Sequence, residues 1–138
     1  MTEPEGDRLE DLVIFALGYG VENVRDSGGA LVPFVLSETV DGVRAIERFV
    51  VGDPMSLEAS AAKALEFLDG LDTSVRAVAA YDGFTTVAGT RSDAILAVAR
   101  DVGSTATTTY AQRYTPKSFL RKARALGAPI RFGTEPET

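Results

Sequence analysis

The chain begins with a helical pattern of hydrophobic positions. Between about Asp7 and Asp26, apolar or small residues recur every three or four positions, as on one face of an α-helix. They are Leu9, Leu12, Val13, Ala16, Leu17, Gly20 and Val24. A glycine inside a helix costs roughly 1 kcal/mol relative to alanine. Gly18 and Gly20 therefore indicate either that this helix packs closely against a sheet, which we favour, or that it is kinked.

A hairpin and a second helix follow. Residues 30–38 and 43–51 are rich in strand-forming residues, and the Asp-Gly turn between them predicts a β-hairpin. Pro33 lies within the first predicted strand and has no N–H to donate, which predicts an edge strand or a bulge. Ser56 is a suitable N-cap for a helix over residues 57–68, whose apolar residues form a single stripe.

The second half of the chain is dominated by predicted strands. Four stretches have strand character, namely residues 75–81, 84–88, 93–100 and 105–114. Asp82-Gly83 predicts a turn, residues 89–92 predict a second one, and the sequence leaves open whether residues 84–88 form a separate strand or a bent continuation of their neighbour. Thr115 as cap, Pro116 at the first position and Gly127 past the end predict a short C-terminal helix. Pro129 to Gly133 forms a short extended piece that could join a sheet edge.

The element order α-β-β-α-β-β-β-α defines the expected fold class. Because strands and helices do not alternate as in parallel folds, we predict an α+β protein with an antiparallel sheet. The sheet is expected to have about five strands, with the helices mainly on one face. Residues 1–138 are expected to form one domain, with residues 1–6 and 134–138 frayed.

Composition removes several kinds of chemistry. The 138 residues include no cysteine and no histidine, so disulfides, thiolate nucleophiles, serine-histidine triads and the usual zinc sites are excluded. Carboxylate, lysine, serine, tyrosine and oxygen-ligated metal chemistry stay possible. We therefore favour a non-enzymatic protein, and we assign no catalytic residue, no metal ligand and no cofactor.

The hydropathy pattern also bears on location. The apolar run from Leu12 to Leu17 is far too short to cross a bilayer. The first residues are acidic where a signal peptide would be basic and then apolar. We expect a cytoplasmic protein without membrane contact.

Charge is distributed unevenly along the chain. The net charge is −6, but residues 102–134 contain six basic residues and no acidic one. A basic C-terminal region could bind nucleic acid, since such contacts are largely electrostatic. The overall acidity, with a pI of about 4.6, opposes that partner at long range. We expect this region to complement the acidic remainder of the fold or a second copy.

Two groups of polar residues are candidates for a ligand or partner surface. The first is Asp82 and Asp93, which flank residues 84–88 and could perform acid-base work or hold Mg²⁺, although aspartate is also a common turn residue. The second lies on the polar strand over residues 105–114. Strand alternation puts Arg113 on one face of the sheet and Thr108, Tyr110, Gln112 and Tyr114 on the other. The full candidate set is Asp82, Asp93, Thr108, Tyr110, Gln112, Arg113 and Tyr114.

Several short segments resemble a known class of proteins. They are Leu31-Val32-Pro33-Phe34, Tyr81-Asp82-Gly83, Arg91-Ser92-Asp93-Ala94 and Ala111-Gln112-Arg113-Tyr114. Over roughly residues 7–115 the chain resembles small bacterial α+β proteins of unknown function with an α-β-β-α-β-β-β layout. The element order is also similar to that of roadblock and longin domains, by analogy of topology. The resemblance implies a fold and no activity.

Three functional hypotheses follow from these features. The first is a non-enzymatic interaction or scaffold protein that forms a homodimer through an open sheet face or an edge strand. The second is a small-molecule-binding protein or carboxylate-dependent enzyme that uses Asp82, Asp93, Arg113 and Tyr110, which requires these groups to converge in one pocket. The third is a small acidic regulatory or immunity-type partner of another protein.

Overall fold

The computed structural model describes residues 5–27, 29–116 and 122–135. Within them, two helices and seven strands follow one another along the chain. They are α1 (Glu5–Ser27), β1 (Phe34–Thr39), β2 (Arg44–Arg48), α2 (Leu57–Gly70), β3 (Val75–Val87), β4 (Thr90–Arg100), β5 (Thr107–Thr115), β6 (Arg124–Ala125) and β7 (Ile130–Glu135). Neither described helix is long and apolar enough to cross a membrane.

The strands form one antiparallel arrangement. Their spatial order is β2-β1-β3-β4-β5, and both β6 and β7 pair with the outer edge of β5. Each of these pairings is antiparallel. The predicted α+β class with an antiparallel sheet is therefore confirmed, and the first seven elements occur in the predicted order. The sheet has two strands more than expected.

The helices lie on opposite faces of the sheet, so the prediction that they share one face is wrong. Leu12 and Leu17 of α1 pack with β-strand residues such as Leu36, Val78 and Ile95. Ala64 and Leu68 of α2 pack with Val35, Ala77 and Ala79. Both sides of the central strand β3 are apolar over residues 77–80, and a strand that is apolar on both sides needs cover on both faces. We call the face of the sheet that α1 covers the α1 face, and the opposite face, on which α2 lies, the α2 face.

Pro33 does not mark an edge strand, contrary to expectation. β1 lies between β2 and β3, and Pro33 precedes its first residue, Phe34. Outside the ladder, Pro33 needs no N–H of its own, and its carbonyl accepts a hydrogen bond from the Phe49 N–H at 2.9 Å. The edge strand of the hairpin is β2, and the turn at Asp41-Gly42 is confirmed by the positive φ of Gly42.

Of the two turns predicted between the central strands, the one at Asp82-Gly83 is wrong, and the one at residues 89–92 begins one residue after the actual turn. β3 continues from Val75 to Val87, so Asp82-Gly83 is in the middle of a strand and residues 84–87 are its continuation. The chain reverses instead at Ala88-Gly89, where φ is 51° and 80°. Positive φ at both central residues is the type I′ geometry that matches the twist of a two-residue hairpin. This turn is what folds β4 back along β3.

The predicted C-terminal helix is wrong where the structure describes it. Thr115 is the last residue of β5, and Arg124 and Ala125 pair with Thr115 and Tyr114. Residues 117–121 lie outside the described residues. The outer edge of β5 has backbone groups that need partners, and the Leu126 N–H donates to the Arg113 carbonyl at 2.8 Å. The extended piece predicted at Pro129 to Gly133 is confirmed as β7, although β7 begins at Ile130.

The structure describes part of each terminal segment that was expected to be frayed. Glu5 and Gly6 belong to α1, and Thr134 and Glu135 belong to β7. Residues 1–4 and 136–138 lie outside the described residues.

Candidate functional site

Asp82 and Asp93 come together on the α1 face at one end of the sheet. Asp82 pairs across the ladder with Ile95, and Asp93 pairs with Phe84. The two carboxylates are therefore diagonal neighbours on adjacent strands, roughly 7–8 Å apart at the backbone. The long β3–β4 hairpin creates this proximity, because the chain continues past both residues before it turns.

Asp82 is anchored by two hydrogen-bond donors. The Tyr114 hydroxyl donates to its Oδ1 at 2.8 Å, and the Leu31 backbone N–H donates to its Oδ2 at 3.2 Å. Burial raises the pKa of Asp82, and the nearby charge of Asp93 raises it further, while the hydrogen bonds from Tyr114 and Leu31 lower it. The net shift is upward, so holding this carboxylate ionised costs free energy in the folded protein.

Tyr114 and Asp93 complete the polar side of the site. Burial raises the pKa of Tyr114 strongly, and its hydrogen bond to Asp82 adds to the shift, so its hydroxyl stays protonated. The side chain of Asp93 accepts no hydrogen bond and forms no ion pair within the described residues. The site thus contains one oriented carboxylate, one free carboxylate and one fixed hydroxyl.

These residues line a cleft of about 470 Å³, which we call the carboxylate cleft. Its remaining walls are mainly apolar and come from the end of α1, the segment after it, the start of α2 and the hairpin. They are Val24, Gly29, Ala30, Leu57, Gly83, Phe84 and Pro116. Phe84 is 56% exposed, and the Arg91 guanidinium stacks over its ring with the carbon Cζ 3.6 Å from the ring centroid.

Gly20 allows α1 to approach the sheet beside this cleft. A Cβ atom at this position would lie 3.0 Å from Ile95 Cγ2 and 3.3 Å from Leu31 Cδ2. The predicted close packing of a helix glycine is therefore confirmed for Gly20. It is wrong for Gly18, which is exposed and would have no neighbour within 4 Å of its Cβ.

Most candidate residues on β5 are buried and take part in packing or hydrogen bonding within the fold. Thr108, Tyr110 and Gln112 are buried on the α1 face, and Tyr110 belongs to the core beneath α1. Gln112 Nε2 donates to the carbonyls of Arg113 and Gly127, at 2.9 and 3.0 Å, and so ties β5 to the segment after β6. Of this group, only Tyr114 lines the carboxylate cleft.

Arg113 points to the α2 face, away from both aspartates. Its strand neighbours Gln112 and Tyr114 are on the α1 face, and alternation puts it on the other. Its Nε is buried without a hydrogen-bond partner, and it forms no ion pair within the described residues. The four-residue pocket of Asp82, Asp93, Arg113 and Tyr110 is therefore not formed.

The α2 face is only half covered by described elements. α2 packs over β1 and β3, as its contacts to Val35, Ala77 and Ala79 show. Over β4, β5, β7 and the Tyr81 part of β3 lies a surface that we call the open strip, within which the small residues Ala94 and Ala111 are buried. Its members alternate on the same face as Arg113 and are partly buried, and they are Tyr81, Leu96, Thr109, Arg113 and Ile130.

Among the described residues, no group of three or more acidic side chains lies close enough together to hold a metal ion. Sequence reasoning found both aspartates and Tyr114 but missed Leu31 and Phe84. Leu31 acts through its backbone N–H, which carries no side-chain signal. Phe84 could have been suspected only as an apolar residue between two polar candidates. Comparison with protein-family models, curated proteins and solved structures found no match for this chain.

Proposed function

We propose that this chain is a non-enzymatic interaction protein that forms a homodimer through the open strip. The observation that supports this best is the half-covered α2 face, which combines Leu96 and Ile130 with the unpaired Arg113. A sheet face with apolar residues gains free energy when a second layer removes it from water. Arg113 has no carboxylate partner within the described residues. An element that covers it would therefore need an acidic side chain to pair with its charge.

A second copy of the chain supplies an element of the right kind. If the two-fold axis lies in the interface and runs parallel to the strands, α2 of each copy covers the open strip of the other. Such an interface is self-complementary, as two-fold symmetry requires. The helix would then be covered on both sides by sheet, which suits the small residues Ala61, Ala62 and Ala64 along it.

The orientation of α2 brings opposite charges together in this arrangement. Its C-terminal end lies at Arg100, which donates to the carbonyls of Leu68 and Leu71 at 3.0 and 2.8 Å. Its N-terminal end therefore lies near Gly83, at the end of the sheet where Arg113 is located. The axis preserves direction along the strands, so Glu58 of the second copy would approach Arg113.

Pairing through the edge strand β2 is the less favourable route to a dimer. Antiparallel self-pairing centred on Ile46 would put Arg44 of one copy opposite Arg48 of the other, twice per dimer. Like charges directly opposite each other on neighbouring strands are destabilising. Arginine on an edge strand is also a common means of preventing such pairing.

A charge exchange tests the proposal directly. In sedimentation equilibrium, wild type should be dimeric, and either Arg113→Glu or Glu58→Arg should weaken the dimer by about tenfold or more. The double variant should regain most of the lost affinity, because each substitution supplies the partner that the other requires. Circular dichroism of each variant monitors the fold.

The matched control is Val43→Glu, which puts a charge on a residue that is 65% exposed in the β1–β2 turn. It should leave the dimer constant unchanged. A wild-type protein that is monomeric at high micromolar concentration would overturn the proposal. So would a double variant that is no tighter than either single variant, since it would show that Arg113 and Glu58 do not meet.

A further inference from the structure

The acidic residues of the carboxylate cleft differ from the other partly buried acidic residues in forming no ion pair within the described residues. Four acidic side chains among those that the structure describes are not fully exposed: Glu38, Asp82, Asp93 and Asp101. Glu38 and Asp101 each form an ion pair with Arg76. Asp82 and Asp93 form none within the described residues, although they are diagonal neighbours on adjacent strands and both line one cleft. The fold thus brings two carboxylates together in a concave site, and the nearby Arg91 stacks on Phe84 at the rim and pairs with neither of them within the described residues.

The arrangement of lone pairs leaves room for a donor from outside. Each oxygen of Asp82 accepts one hydrogen bond from the protein, from Tyr114 or Leu31, and a carboxylate oxygen has two acceptor positions. The side chain of Asp93 makes no hydrogen bond to another described residue, and its backbone carbonyl accepts one from the Ser92 hydroxyl at 3.2 Å. A group with several N–H donors could therefore bridge the two carboxylates without displacing any contact that holds the fold.

The walls of the cleft distinguish an organic cation from a metal ion. Ca²⁺ takes six to eight oxygen ligands, more than two carboxylates and one hydroxyl supply, and Mg²⁺ held by two carboxylates keeps most of its bound water, which suits polar surroundings. Val24, Ala30, Leu57 and Phe84 instead present an apolar surface. The volume of about 470 Å³ lies within the range of small-molecule sites.

Phe84 already has a cation on its ring. The guanidinium of Arg91 lies over it, and Arg91 forms no ion pair within the described residues. The rim of the cleft therefore stabilises a delocalised positive charge through the aromatic ring. This contact orients Phe84 as the outer wall of the site.

We propose that the carboxylate cleft binds a small organic cation, namely a protonated primary amine with a short apolar group. The ammonium is hydrogen-bonded between Asp82 and Asp93, and the apolar group lies against Phe84, Val24 and Leu57. Binding neutralises the two carboxylates and covers the apolar wall together. Asp82, Asp93 and Tyr114 lie on the α1 face, and among the cleft residues only Leu57 belongs to α2, the helix used in the proposed dimer. The variants that test amine binding change no residue of that interface.

Isothermal titration calorimetry with 2-phenylethylamine at neutral pH and matched ionic strength tests the proposal. The neutral isostere 2-phenylethanol has the same ring and chain length and lacks the ammonium. We expect the amine to bind about tenfold or more tightly than the alcohol, as a charge-assisted hydrogen bond requires. Amide shifts of Gly83 and Ala30 in NMR spectra locate the bound amine.

Variants of the carboxylates identify the groups that bind. Asp93→Asn should weaken amine binding about tenfold without disturbing the fold, because Asp93 makes no internal side-chain hydrogen bond within the described residues. Asp82→Asn should weaken it as much or more. Asp41→Asn, in the exposed β1–β2 turn, is the matched control and should bind like wild type.

Several results would overturn the proposal. Equal affinity for amine and alcohol would show that charge has no role. Unchanged amine binding by Asp93→Asn would show that the two carboxylates do not form one site. Amine shifts confined to residues outside the cleft would put the site elsewhere, and MgCl₂ that displaces the amine at equal ionic strength would assign the cleft to a metal ion.

Discussion

The two ends of the α1 face carry acidic residues in opposite circumstances. At one end Arg76, 1% exposed at its side chain, lies 3.0 Å from a Glu38 oxygen and 3.4 Å from an Asp101 oxygen. About 20 Å along the same strand, Asp82 is held by a hydroxyl and a backbone N–H, with a second carboxylate beside it. The acidic residues at the first end form ion pairs with Arg76, and those at the second end form none within the described residues.

The pKa shifts follow this difference. Burial raises the pKa of Glu38, but the hydrogen bonds from Arg44 and Arg76 lower it more, so the net shift is downward. The pKa of Asp82 is shifted upward by burial and by Asp93. The comparison teaches that charge at the Arg76 end contributes to folding, whereas charge at the cleft opposes it. Charge that folding does not use is available for binding.

The largest effect is expected at the neutralised end. Glu38→Gln removes a charge next to the buried guanidinium of Arg76 and should lower the free energy of unfolding by about 3 kcal/mol. Urea denaturation followed by circular dichroism measures this loss. The control is Glu47→Gln on the exposed strand β2, with an expected change within about 0.5 kcal/mol. A loss below about 1 kcal/mol in Glu38→Gln would show that the two ends do not differ as described.

The packing of α1 against the cleft end gives the next largest effect. Gly18→Ala should stabilise the protein by about 1 kcal/mol, because the helix gains propensity and the new methyl group has open space. Gly20→Ala gains the same propensity but forces Ile95 and Leu31 to move, and overpacking costs roughly 1–3 kcal/mol. Thermal denaturation of both variants measures the difference, expected to be about 2 kcal/mol. Equal stabilisation would mean that Gly20 does not set the helix position beside the cleft.

The β3–β4 turn offers a smaller effect at the same end. Ala88 has a φ of 51°, which a residue with a Cβ adopts at a cost, and asparagine tolerates this region better. Ala88→Asn should therefore raise the free energy of unfolding by about 0.5–1 kcal/mol. Gly89→Ala, at φ 80°, is the opposite control and should lower it. Chemical denaturation in which Ala88→Asn is destabilised would contradict the type I′ assignment.

Local sequence signals predicted most elements and failed where long-range pairing decides. The apolar stripes of α1 and α2 and the Asp41-Gly42 turn depend on neighbouring residues, and each was found. Asp82-Gly83 has the same composition as a turn, but in β3 it is paired on one side with Ile95 and Ala94. The pairing with β4 overrides the local preference.

The same limit applies to the C-terminal region and to the site. Thr115, Pro116 and Gly127 carry helix signals, yet the outer edge of β5 takes Arg124 and Ala125 as strand partners. Asp82 and Asp93 were found as candidates by residue type. Their convergence depends on the register of a hairpin in which Asp82-Gly83 was wrongly predicted as a turn, and the separation of Arg113 from Tyr114 depends on which face each helix covers.

Among these variants, Asp82→Asn is expected to change the stability of the folded protein least at neutral pH. The size of this change depends on pH. A carboxyl group whose pKa is raised by folding destabilises the folded state when it is ionised. As the pH falls through this raised pKa towards the ordinary value of 3.8, the folded protein takes up a proton and gains stability relative to the variant. Asparagine does not titrate, so the variant lacks this gain.

Thermal denaturation of both proteins between pH 7 and pH 4 measures the difference in midpoint. The midpoint of wild type relative to Asp82→Asn should rise as the pH falls. Glu38, whose pKa is lowered, loses its contribution as the pH falls through its own pKa, but it does so in both proteins and cancels in the difference. A difference that is constant with pH, or that falls, would mean that Asp82 is already compensated in the folded state, and the contrast between the two ends of the sheet would no longer hold.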